Sequence, residues 1–191
     1  MTRQATHLDD QELLHLAMEA SAKERHADAM EYLKRASQSG NNPHAHFLLA
    51  AEYAQIGLND RAVAEFRAAL KIDPALHAAR FQLGLLFMVN GIVQEALDTW
   101  KPLETDSAAE PYATFARGLS RIAREDFAGA AEDLRRGIET NRVNEALNVD
   151  MKGVLERVTA QRKDGAPPAP PASADADAGH FLLSAYTRRP N

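Results

Sequence analysis

Residues 43–103 read PHAHFLLAAEYAQIGLNDRAVAEFRAALKIDPALHAARFQLGLLFMVNGIVQEALDTWKPL. Shifted by 34 residues, the stretch matches itself: Ala50, Gly84 and Gly118 fall at that spacing, as do Ala62, Ala96 and Ala130, and Phe66, Trp100 and Leu134. Tyr53 and Gly57 return as Phe87 and Gly91. Small and large apolar residues at fixed offsets of such a period mark an array of helix-turn-helix units. Each marker has a physical reason. The small residues let two helix backbones approach to about 8–10 Å, and the large ones are the knobs between them. Gly57 and Gly91 predict the ends of first helices, where glycine takes a left-handed conformation without penalty. Asp73-Pro74 predicts a border between units, with proline at a first helical position where its missing N–H costs nothing.

On these residues the chain resembles the tetratricopeptide repeat family. The best unit offers Leu49, Ala50, Tyr53, Gly57, Ala62, Phe66, Ala69 and Pro74; the next offers Leu83, Gly84, Phe87, Gly91, Ala96, Trp100 and Leu103. The resemblance runs from about Asp10 to Asn141, with two strong and two weaker repeats. It implies an all-α, right-handed superhelix of about four helix-turn-helix repeats with a C-terminal capping helix. It also implies protein or peptide binding rather than catalysis.

Outward from the centre, the pattern loosens. Residues 1–8 read as a flexible N-terminus and 9–141 as the repeat domain. Asp9 with Glu12 predicts a helix cap of the reciprocal kind, and Asn42 predicts a cap for the helix that Pro43 opens. Pro102 should kink or end the helix that carries it. In the fourth repeat Arg117 and Arg121 stand where the period calls for leucine and an aromatic residue. Residues 142–163, with Leu147, Met151, Val154, Leu155 and Val158 three and four apart, predict an amphipathic capping helix. Residues 164–179 form a Pro/Ala-rich stretch that reads as a linker. Residues 180–191 close on an apolar and basic motif: Phe181, Leu182, Leu183 and Tyr186 precede Arg188 and Arg189.

Composition narrows the function class. The net charge of −5 over 191 residues disfavours non-specific nucleic-acid binding. There is no cysteine, hence no disulfide framework, thiolate metal site or cysteine nucleophile. No apolar run reaches the ~18 residues of a membrane span, and the N-terminal residues do not read as a secretory signal. The expected setting is cytoplasmic, with a composition suggestive of a bacterial chain. The seven histidines include no pair at the four-residue spacing that would face one metal ion. No phosphate-cradling loop or nucleophile elbow is present, so catalytic residues, cofactor-binding residues and metal ligands are all expected to be none.

The family's groove-facing offsets, carried onto this sequence, fall on Phe47, then Phe81, Leu85, Met88 and Val89, then Tyr112, Phe115, Leu119 and Ile122. Groove residues would ordinarily be polar, whereas these are apolar, and a contiguous exposed apolar strip marks an interaction site. The competing reading is that they pack between tightly coiled helices. Leu14, Met18, Phe47, Ala51 and Ala78 occupy places where family members that clamp a partner's C-terminal carboxylate carry Lys, Asn or Arg, so the expected partner presents an apolar helix or segment. Arg117, Arg121 and Arg124 read either as paired with Glu110, Glu125 and Glu132 or as a positive rim beside the groove. The functional expectation is a non-enzymatic, chaperone-like adaptor that binds a protein or peptide partner. The alternative is a self-assembling structural component whose 180–191 motif enters its own groove or a neighbour's.

Overall fold

A computed structural model describes residues 8–38, 40–142 and 144–164. Described residues form helices and no strand: α1 (Asp10–Ala22), α2 (His26–Ser37), α3 (Pro43–Gln55), α4 (Asn59–Ile72), α5 (His77–Val89), α6 (Val93–Glu104), α7 (Tyr112–Ala123), α8 (Phe127–Thr140) and α9 (Glu145–Asp164), with a short 3-10 turn at Ser107–Ala109. They fall into two compact units, one ending at Pro74 and one beginning at Ala75. The first holds the pairs α1–α2 and α3–α4; the second holds α5–α6, α7–α8 and α9. Of the expected linker 164–179 only Asp164 is described, as the last residue of α9. The motif with Phe181, Leu182, Leu183 and Tyr186 lies outside the described residues.

Local signals place the helix starts. Glu12 N–H donates to Asp9 Oδ1 at 2.8 Å and Asp9 N–H to Glu12 Oε2 at 2.9 Å, the reciprocal cap read from the sequence. Ala45 N–H donates to Asn42 Oδ1 at 3.1 Å ahead of Pro43 at the first helical position. Pro74 behaves differently from expectation. It lies in a turn, and α5 starts at His77, whose N–H donates to Ala75 O at 2.7 Å. The helix with Pro102 runs on to Glu104 and stops there, as a ring that removes one backbone donor near the end of a helix allows.

The four first helices end alike. Glu24, Gly57, Gly91 and Glu125 all have positive φ, at 57°, 75°, 76° and 61°. In each case the next residue's N–H reaches back five positions: Arg25 to Ala20 O, Leu58 to Tyr53 O, Ile92 to Phe87 O and Asp126 to Arg121 O, at 2.8–2.9 Å. This double-bonded end satisfies carbonyls that a helix otherwise leaves open. It also accounts for Leu58 and Ile92, each 41 % exposed, as turn residues and not as stray core.

Within each hairpin the period is a packing rule. Ala29, Ala62, Ala96 and Ala130 are all fully buried, as are the knobs opposite, Leu33, Phe66, Trp100 and Leu134. The small residues are sized to the knobs. A Cβ on Gly84 would lie 2.2 Å from Trp100 Nε1, whereas one on Gly118 would meet Leu134 Cγ at 3.1 Å. Trp100 Nε1–H donates to Phe81 O at 2.9 Å, which satisfies the one polar atom that the buried indole brings. The last helix, α9, lays Val158 against Ala130 and Ala131 of α8, with Val154 and Leu155 packed beside them. Leu147 and Met151 are buried as well. An apolar face of repeat four is thereby covered, as a terminal cap requires.

Candidate functional site

The residues expected to line a groove separate by depth. Phe47, Phe81 and Phe115 are 0 %, 1 % and 0 % exposed, and Leu85 and Leu119 are buried too. The expectation of three solvent-facing aromatics is corrected: they are core. In the first unit, Phe47 lies 6.0 Å from Phe66, ring centroid to centroid. In the second, Phe81 sits among Trp100 at 5.9 Å, Tyr112 at 5.6 Å and Phe115 at 6.4 Å. The reason is close helix approach, most plainly at Phe115, whose ring fills the space that Gly137 leaves by lacking a Cβ. A Cβ added at Gly137 would come within 2.5 Å of the Phe115 ring.

What remains partly open is smaller. Met88 and Val89, at the last turn of α5, and Tyr112, at the first turn of α7, are half-buried. Ile122 is half-buried as well, but it packs against Ala130, Ala131 and Val158 and so belongs to the contact with α8 and α9. Helices α5 and α7 touch each other directly, which brings Phe81, Tyr112 and Phe115 together. Leu14 packs onto the cluster of Leu13, Ala36 and Ala45 in the first unit.

The arginines of repeat four have partners that sequence reading did not assign. Asp133, 1 % exposed, collects three of them. Arg117 Nε donates to Asp133 Oδ1 at 3.2 Å, Arg136 Nη2 donates to the same oxygen, and Arg121 Nη1 stands 3.0 Å from Oδ2. That last contact is an ion pair without hydrogen-bond alignment, because Arg121 Nη1–H is aimed at Gly129 O, 2.9 Å away. Arg117 Nη2 also donates to Thr114 Oγ1 at 3.1 Å, and Thr114 donates on to Glu110 Oε1 at 2.8 Å. Arg121 Nε lies 3.6 Å from Asp126 Oδ2. A buried carboxylate is tolerated only when paired and hydrogen-bonded, and this network meets that condition. The signal was available in the period. Arg117 and Asp133 take the places of Leu83 and Thr99, while Arg121 and Asp126 take those of Phe87 and Ile92.

In the first unit, two histidine–carboxylate contacts tie helices together. His26 Nδ1 lies 2.9 Å from Oε2 of the buried Glu52, and His46 Nδ1 lies 2.6 Å from Glu65 Oε2. Lys34 and Arg61 stand over the Tyr53 ring at 5.8 and 5.7 Å, close enough for cation–π attraction. Among the described residues no group of three or more His, Cys, Asp or Glu is arranged to hold a metal ion.

A tetratricopeptide repeat family model matches residues 43–76, which span α3, α4 and the turn that follows. That stretch carries a tetratricopeptide repeat. No curated protein sequence matches it. Among the solved structures that do match is one described as "MamA RS-1 ArsTM double mutant", at 17 % identity and a TM-score of 0.59, with 96 % of each chain covered. At that identity the likeness establishes the all-α helical repeat fold. Repeats of this family serve as protein-interaction scaffolds, and no helix among the described residues is long and apolar enough to cross a membrane.

Proposed function

We propose that this tetratricopeptide repeat protein is a non-enzymatic, cytoplasmic adaptor whose second unit binds a protein partner along α5 and α7, in a chaperone-like manner. The observation that supports it is the exposure of Met88, Val89 and Tyr112. These three side chains stay half-open, while Phe81, Leu83, Leu85, Leu86 and Phe87 of α5 and Phe115 and Leu119 of α7 are enclosed. An adaptable methionine and an amphipathic tyrosine at such a place suit an apolar helix or extended segment of a partner. Phe81, Leu85, Phe115 and Leu119 would support that surface from within the core rather than touch the partner.

The test is cross-linking of the intact protein to partners in cell extract, with Met88→Glu and Val89→Glu compared with the parent by mass spectrometry and thermal melting. Because both residues are partly solvated, each variant should melt close to the parent and lose the cross-linked partner. Unchanged cross-links in a folded variant would move the partner site elsewhere. A second reading makes the occupant the chain's own 180–191 segment, favoured by the run Phe181, Leu182, Leu183, Tyr186 after a Pro-rich stretch. Truncation after Asp164 should then raise hydrophobic-dye binding or abolish self-association. No change in either would remove this second reading.

A further inference from the structure

We draw no further inference here: the strongest candidate, the arginine cluster of Arg117, Arg121 and Arg136 on the α7–α8 hairpin, has its charge matched by Asp133, Asp126 and Glu110 in the same network, and nothing in the structure shows an anion or acidic segment seated on it.

Discussion

Repeats three and four occupy the same unit, have the same hairpin backbone, and are held by different chemistry. In repeat three the seam is apolar: Leu83 and Phe87 on the first helix, Ile92 at the turn, and Trp100 against Gly84. In repeat four the same offsets carry Arg117, Arg121, Asp126, Leu134 and Gly118, and Asp133 stands where repeat three has Thr99. The turn is unaffected, with the hydrogen bonds Ile92 N–H to Phe87 O and Asp126 N–H to Arg121 O both at 2.9 Å. Backbone geometry thus sets which positions meet. The pair that meets can be two apolar groups or two charges, provided that both members change together. A lone carboxylate at Asp133, 1 % exposed, would be buried without a partner, and it is that state which is costly.

The most severe way to break repeat three is Phe81→Glu. Removing the ring alone costs about 3–5 kcal/mol, and the carboxylate would be buried beside Trp100 and Phe115 without a donor. A domain with roughly 5–15 kcal/mol in total should then lose its second unit. Circular dichroism should show a large drop in helix signal at 25 °C. A cooperative melt near that of the parent would mean that Phe81 can reach solvent, and would restore the groove reading of that ring.

The next test exchanges the seams. Asp133→Thr should destabilise by about 2 kcal/mol, below the full cost of a broken buried pair because the arginines it strands are still partly solvated. Adding Arg117→Leu should recover much of the loss by recreating the Leu83–Thr99 arrangement. Denaturant midpoints read this directly, and losses that simply add would show that the two positions are uncoupled.

Glycine size gives the third. Gly84→Ala should cost about 1–3 kcal/mol through overpacking against the indole. Gly118→Ala should fall within about 1 kcal/mol of the parent, since the Leu134 side chain can yield and alanine favours the helix. Equal losses at both sites would refute the matching of small residue to knob.

The smallest effect concerns the turn. Glu125 sustains a left-handed conformation that Gly91 adopts freely. Glu125→Gly should therefore raise stability by up to about 1 kcal/mol, and Gly91→Ala should lower it by a similar amount. Thermal melts should shift in opposite directions, and a shared sign would separate the turn conformation from the stability difference.

The period, the caps at Asp9 and Asn42, the left-handed Gly57 and Gly91, and the helix that follows Asn141 were all legible because they rest on local rules. A carboxylate or amide oxygen three residues ahead of an orphan N–H, a missing Cβ, or apolar residues three and four apart needs no knowledge of distant contacts. Even Pro74, placed wrongly at a helix start, failed by only a few residues. The candidate site was less legible for a physical reason. Burial depends on how close two helices come, and that distance is set where a residue without Cβ meets a large side chain of the facing helix, as Gly84 meets Trp100, Gly118 meets Leu134 and Gly137 meets Phe115. An apolar offset such as Phe81 or Phe115 therefore reads the same on paper whether it faces solvent or core.

The repeat, the glycine turns at Gly57 and Gly91 and the alternation of small and large residues across each hairpin are written in the chain, because they follow from the 34-residue period and backbone chemistry. Which apolar side chains remain open was settled by helix packing, as was the gathering of Arg117, Arg121 and Arg136 by Asp133 rather than by Glu110, Glu125 or Glu132. Ion pairing is a matter of a few ångströms between side chains on different helices, a distance that emerges only once the helices have packed.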